Sequence, residues 1–252
     1  MLNKYTALIC TFFVTLIVTG CNQTIDARQL KLIQGLHYKI NDNEPFTGTV
    51  TNYRNLGAFS TSCSVEMKEG QLDGNFECKT KNGFTTTKLE YKNNLKNGVE
   101  QVWDEESGNL VSKTSWKEGK RDGSDERYNY KTGKLIQITH WSENRKEGEE
   151  KIWDASGEKL LTHLDWEDGK QSGFSTWSEW EENYKDGKLH GTRKHFGLKQ
   201  NASYDEYQAA STEIQLLNAG TFSIGLLKDG YVQWEEEYEN GNLISKTEYE
   251  HK

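Results

Sequence analysis

Proline is nearly missing from this chain of 252 residues: Pro45 is the only one. Proline cannot donate to a sheet ladder, so its scarcity leaves the rest of the chain free to pair as strands. Apolar residues are also scarce, at 33%. A chain so composed builds a thin core rather than a thick globule. Basic residues fall short of acidic ones, 31 against 39, for a net charge of −8. That balance argues against nucleic-acid binding, which needs basic surface to neutralise phosphates. It also disfavours adsorption to anionic lipid head groups, whereas a basic protein partner fits it. Catalytic motifs are missing too. The six histidines form no H-E-x-x-H, and there is no G-x-S-x-G elbow, phosphate-binding glycine loop or C-x-x-C. His190 and His195 are five apart and read as solvated strand residues. No spacing of Cys or His suggests a metal. The expectation is a protein that is not an enzyme and takes no cofactor and no metal. Carboxylates from distant strands, the pairing used by hydrolases, stay open as an alternative.

Aromatics and glycines are abundant: 8 Trp, 12 Tyr, 9 Phe and 23 Gly. They repeat. Tyr91-x-x-Asn94-x-x-x-Gly98 is followed by Trp116-x-x-Gly119-x-x-x-Gly123 and Trp141-x-x-Asn144-x-x-x-Gly148. Trp166-x-x-Gly169-x-x-x-Gly173 and Tyr184-x-x-Gly187-x-x-x-Gly191 complete the series. From Gly74 the closing glycines step by 24, 25, 25 and 25 residues, then by 18. A fixed period of this size marks a repeat protein whose units bury their apolar faces on one another.

The punctuation is turn chemistry. Asp168-Gly169, Asp186-Gly187, Asp229-Gly230 and Asn240-Gly241 suit two-residue turns that need φ > 0 at both central positions. Glu69-Gly70 and Glu118-Gly119 hold the equivalent place. A second turn recurs at Asn82-Gly83, Ser107-Gly108, Thr132-Gly133 and Ser156-Gly157. Two turns per unit leave two strands of roughly 6–8 residues. The predicted fold is all-β: an elongated antiparallel β-meander of hairpin repeats. One helix is expected at 204–218, from the Ser203-x-x-Glu206 capping pattern and the apolar spacing of Tyr207, Ala210, Ile214 and Leu217. Residues 26–37 fit a leading strand or a short helix. Thr221 to Leu227, Tyr231 to Tyr238 and Leu243 to Glu250 read as closing strands. Glu235-Glu236-Glu237 and Asp104-Glu105-Glu106 read as exposed strand and turn charges.

These units resemble the MORN-variant repeat, roughly aromatic-x-[ND]-G-x-x-x-G-x-x-x-x-[YW]-x-x-x-G. Trp116 to Gly133, with Tyr128, and Trp141 to Gly157, with Trp153, fit it well. Leu89 to Gly108 fits with Trp103. Asn43-Glu44-Pro45-Phe46-Thr47-Gly48, then Tyr53 and Gly57, looks like the opening unit of such arrays. The resemblance covers about two thirds of the chain. Bacterial proteins of this pattern are commonly labelled YwqK-family antitoxins, and some look like immunity proteins against secreted toxins. The family has no catalytic motif to carry over.

The N-terminus reads as a targeting segment. Lys4 precedes a mainly apolar run of 12 residues, Ala7 to Val18, too short for a comfortable membrane span. It ends in Val18-Thr19-Gly20-Cys21, which resembles a bacterial lipobox. The resemblance implies cleavage before Cys21, lipid attachment at its thiol and stable anchoring by several acyl chains. Asn22 after the cysteine resembles outer-membrane sorting, with the protein facing the periplasm. An ordinary signal peptide with an incidental cysteine is the alternative. Removing residues 1–20 takes away one lysine and no acid, leaving 30 basic against 39 acidic residues. Cys63 and Cys78 then remain in an oxidising compartment. Pairing across the Glu69-Gly70 turn sets Cys78 opposite Thr61, one diagonal step from Cys63. A disulfide is plausible there, with two buried thiols as the alternative.

The expected organisation is a signal peptide (1–20), an anchor segment (21–37), a MORN-variant array (38–197) and a C-terminal cap with a degenerate repeat (198–252). Most tryptophans read as core. Where the period shortens, Phe174, Trp177, Trp180, Tyr184 and Phe196 form the candidate binding surface, because Trp and Tyr are enriched at binding hot spots. The functional expectation is a lipid-anchored, non-enzymatic protein-binding module that neutralises a cognate toxin. A structural or scaffold lipoprotein of the cell envelope is the alternative.

Overall fold

The computed structural model describes residues 23–53, 61–177, 180–196 and 232–249. An opening section holds β1 (Thr24–Asp26), a single 3-10 turn (Ala27–Gln29), and the hairpin of β2 (Leu30–Ile33) and β3 (Leu36–Lys39). Both structures allowed for residues 26–37 thus occur side by side. The meander starts with β4 (Gly48–Thr51), β5 (Thr61–Lys68), β6 (Gln71–Thr80), β7 (Thr85–Lys92) and β8 (Leu95–Trp103). It continues through β9 (Leu110–Lys117), β10 (Lys120–Tyr128), β11 (Leu135–Ser142), β12 (Arg145–Trp153) and β13 (Leu160–Glu167). Then come β14 (Lys170–Gln171), β15 (Gly173–Trp177), β16 (Trp180–Lys185), β17 (Lys188–Leu189) and β18 (Gly191–Phe196). The last hairpin is β19 (Val232–Glu239) and β20 (Asn242–Glu248).

All but β2 and β3 belong to one sheet of 18 strands. From β4 onward the strands pair antiparallel in chain order, with β14 and β15 sharing β13 as partner and β17 and β18 sharing β16, while β1 lies parallel to β4. The fold is therefore the all-β meander that the period predicts. Among the described residues there is no α-helix, and no helix is long and apolar enough to cross a membrane. The expected helix at 204–218 and the expected strand at 221–227 lie outside the described residues. The array does not stop at Phe196. β19 pairs with β18 along its length, Gly191 facing Tyr238 and His195 facing Trp234.

Repeats are joined along both margins of the ribbon. At one margin, the second turn residue of each hairpin donates its N–H back to the preceding unit. Asn94 bonds Leu72 O, Gly119 bonds Lys96 O, Asn144 bonds Arg121 O and Gly169 bonds Lys146 O, at 2.8–2.9 Å. Gly187 and Gly241 continue the series onto Gln171 O and Leu189 O. Asn94 and Asn144 add a side-chain bond, accepting from the N–H of Leu72 and Arg121 at 2.7 Å. At the other margin, Asn109 Nδ2 donates to Tyr130 O and Asn129 Nδ2 to Ala155 O.

The closing glycines serve a different purpose from the turn glycines. Each sits where the register slips by two residues, in a β-bulge. Met67 faces Leu72, yet Val65 faces Phe76; Trp116 faces Arg121, yet Thr114 faces Asp125. Gly123 takes φ +106°, and a Cβ there would lie 2.9 Å from Ser115 Cβ. A bulge of this type needs glycine both for its backbone angle and for close approach. The slip corrects the expected cysteine register. Cys78 faces Cys63 directly, Thr80 rather than Cys78 faces Thr61, and the two sulfurs form a disulfide.

The apolar core is concentrated at the N-terminal end. Ile25, Phe46, Val50, Val65, Met67, Phe76 and Leu89 bury together with the disulfide, and Tyr91 and Trp116 pack against them. The opening unit closes over this core. Phe46 is buried, and its carbonyl accepts the Gly70 N–H.

Candidate binding surface

Facing residues in adjacent strands share a sheet face, so the register divides every repeat into two sides. One side carries the residue two positions beyond the turn, the residue two beyond the bulge glycine, and the aromatic of the next hairpin. In the array these three are a cation, an acid and a tryptophan. Lys96 Nζ lies 2.8 Å from Glu100 Oε1 and 4.6 Å from the Trp116 ring centre. Trp116 Nε1 donates to Glu100 Oε2 at 2.9 Å. A straight strand would hold residues four apart about 13 Å from each other. The bulge at Gly98 lies between Lys96 and Glu100 and brings them within reach.

The same triad recurs with Lys146, Glu150 and Trp166. Lys146 Nζ is 2.6 Å from Glu150 Oε2 and 4.3 Å from the Trp166 ring, whose Nε1 donates to Glu150 at 3.0 Å. Thr139 and Gln137 donate to the other oxygen of Glu150. The unit between these two is incomplete. Arg121 lies over Trp141 at 3.6 Å, but the acid is Asp125, one methylene shorter. Asp125 accepts from Thr114 Oγ1 at 3.1 Å, and Trp141 Nε1 is buried with no hydrogen-bond partner.

The stretch expected to form a binding surface splits between the two sides. Phe174 faces Asn183, whereas Ser175 faces Glu182 and Trp177 faces Trp180. Phe174 is therefore on the opposite side from Trp180 and Tyr184, and is 40% exposed. The Trp177 side chain lies outside the described residues. Trp180 is engaged internally: Arg193 sits 3.7 Å above its ring and His195 meets it edge-on at 4.4 Å. His195 stacks on Trp234 at 3.9 Å, so it is part of an aromatic cluster rather than a solvated strand residue. Tyr184 donates to Glu182 at 2.7 Å. Its burial, reinforced by that carboxylate, raises the phenol above its ordinary range. Phe196 ends β18 opposite Val232.

Arg193 ties this region together. Its Nε lies 2.7 Å from Glu182 Oε1, and its Nη1 3.5 Å from Glu236 Oε2. The Glu182 side chain is 1% exposed and that of Glu236 12%, so Glu236 is not the surface charge its Glu-Glu-Glu run suggests. Burial alone would lower the Arg193 pKa, but the charge and hydrogen bond of Glu182, together with Tyr238, outweigh it and the net shift is upward.

Two further features stand out among the described residues. The first is β20, which pairs with β19 alone and is exposed along its whole length. Leu243 and Ile244 on it are 52% and 60% exposed. The second lies on the side opposite the triads. Glu149, His163 and Asp165 bring one ligand atom each within 4.8 Å of one another. Glu149 faces Asp165 across β12 and β13, and His163 stands two residues along the same strand. No spacing rule for metal ligands covers a set assembled across strands. The visible signal is the alternation His163-x-Asp165 on one side of a predicted strand.

Cys21 lies outside the described residues. Compared with known proteins, the chain matches no family model and no curated protein.

Proposed function

We propose that this protein is a non-enzymatic protein-binding module, anchored to the bacterial envelope through a lipid on Cys21, and that it acts as an immunity-type antitoxin. The observation that carries the binding reading is β20. Among the described residues β20 pairs only with β19, and such a strand, with Leu243 and Ile244 exposed, is a template for adding a strand from another chain. The acidic surface favours a basic partner and speeds its encounter. The aromatic residues that would otherwise supply hot spots, Trp180 and Trp234, are used within the sheet. Recognition therefore falls to the strand edge and the apolar residues beside it. The lipid anchor and the antitoxin role rest on the lipobox and repeat resemblances.

The experiment is co-expression with the product of the adjacent gene. The reading expects growth arrest by that product alone and rescue by the full chain. It further expects rescue to fail when Lys246→Pro, which removes an N–H that points away from β19, blocks the β20 edge while the circular dichroism of the sheet is kept. Rescue that survives Lys246→Pro would remove the edge-strand assignment. A neighbour with no toxicity would remove the antitoxin role.

The scaffold reading has one observation in its favour. Both margins of the ribbon are joined by repeating hydrogen bonds, which suits a stiff spacer. Crosslinking spread over many envelope components, without one tight partner, would select it.

A further inference from the structure

We propose that Glu149, His163 and Asp165 hold a divalent first-row transition cation of the zinc class. His163 Nε2 is buried, has no hydrogen-bond partner, and lies 3.2 Å from Asp165 Oδ1 and 3.6 Å from Glu149 Oε1. A bare lone pair facing two carboxylates would be repulsive, and a metal cation lying between the three atoms would relieve it. A metal about 2.0–2.2 Å from each ligand separates ligand atoms by about 3.0–3.5 Å. The two spacings at His163 lie close to that range, and the donor set of one imidazole and two carboxylates suits zinc and its neighbours. Three protein ligands leave a coordination position open to water or to a group from another molecule.

The surroundings support such a site. Glu149 Oε1 is the oxygen nearest His163, while Lys151 Nζ pairs with Oε2 at 2.6 Å and so competes with a metal for that carboxylate. His140 Nδ1 lies 2.8 Å from Glu149 O and ties β11 to the liganding strand. Gly173 lies close to Asp165; a Cβ there would come 3.2 Å from Asp165 Oδ2. Glycine leaves the carboxylate room to turn toward a metal. The His163 side chain is 21% exposed, that of Asp165 34% and that of Glu149 49%, so the site is reachable from solvent. The inference is independent of the partner-binding reading, which rests on β20, because it concerns β12 and β13 and requires no other protein.

The test is metal titration of the full chain, purified in detergent and stripped with chelator. Zinc is followed by calorimetry and cobalt by visible absorption. One equivalent of each binds, and cobalt gives the absorption bands of a low-coordinate nitrogen- and oxygen-ligated ion. His163→Gln and Asp165→Asn each weaken zinc binding by at least about tenfold. His190→Gln leaves it unchanged. Lys151→Met removes the competing ammonium group and tightens binding, which keeps the test decisive if a ligand variant folds poorly. Absence of binding at millimolar zinc would overturn the site. Equal binding by wild type and His163→Gln, or weaker binding by Lys151→Met, would overturn it as well.

Discussion

Between Ile25 and Leu89 the packed side of the sheet is made of hydrocarbon and a disulfide; from Lys96 to Glu150, and again at Glu182, Arg193 and Glu236, it carries charge. The substitution is position for position. Phe76 in one hairpin corresponds to Glu100, Asp125, Glu150 and Ser175 in the next four, and Leu72 corresponds to Lys96, Arg121 and Lys146. A single sheet with few apolar residues cannot bury a second layer against itself. The array answers with large rings laid over ion pairs, so that each acid is shielded by tryptophan and satisfied by a cation. The two ends therefore hold together by different physics, and they fail differently.

The largest expected contrast is between Arg193→Met and Val65→Ala. Arg193 balances Glu182, which is 1% exposed. Removing it takes the guanidinium away from a buried carboxylate, at a cost of about 3–5 kcal/mol. Val65 is fully buried among apolar neighbours. Its truncation costs about 2–3 kcal/mol in lost transfer and cavity energy. Denaturant unfolding reads both. Hydrogen exchange will localise the first loss to β16–β20 and the second to β4–β7.

Reduction of Cys63–Cys78 should loosen only the apolar end. The bridge spans 15 residues, and a loop of that size gives about 3 kcal/mol. Exchange of amides in β5 and β6 will accelerate under reductant, whereas β11–β13 will stay protected. Uniform acceleration would mean that the two regions unfold as one unit.

Within the array, tryptophans should differ by their acids. Trp166→Phe removes a donor from Glu150 and costs about 1.5–3 kcal/mol, because hydrogen bonds to charged groups are the strong ones. Trp141→Phe removes an indole N–H that has no partner and costs less. Asp125→Glu restores the missing methylene and stabilises by about 1 kcal/mol if the carboxylate reaches Trp141 Nε1. Melting temperatures of the three variants, compared with wild type, check this order.

The smallest expected effect is acid sensitivity. Burial raises the Glu126 pKa, but hydrogen bonds from Tyr128, Ser124 and Lys113 outweigh it, and the net shift is below the ordinary 4.5. A depressed carboxyl contributes stability above its unfolded pKa and loses it as pH falls through the folded value. The loss therefore falls below about pH 4.5, and Glu126→Gln should flatten that part of the stability–pH curve. The same pair acts at the alkaline end. Burial and the Glu126 carboxylate push Tyr128 up to about 12.

The turns were legible because Asn, Asp and Gly announce positive φ. Glu69, Asn94, Glu118, Asn144, Asp168 and Asn240 all take it. The glycines at 74, 98, 123 and 148 were visible as a period, but their bulges were not, since a bulge is a relation between two strands. That omission misplaced Cys78 by two residues and hid the reach of Lys96 to Glu100. The division of the 174–196 stretch between two sides follows from the same register. Glu236 and His195 looked exposed because a local run of charges shows nothing of the strand laid beside it. Glu149, His163 and Asp165 were unreadable for that reason too: two of them alternate on one strand and the third lies on its neighbour.

The central claim is that shielded ion pairs replace hydrocarbon as the packing unit of the array. A double-mutant cycle on Glu150→Gln and Trp166→Phe, read by denaturant unfolding, tests it most directly. The account predicts a favourable coupling of about 1–3 kcal/mol between the two side chains. Additive effects, with no coupling beyond error, would contradict it.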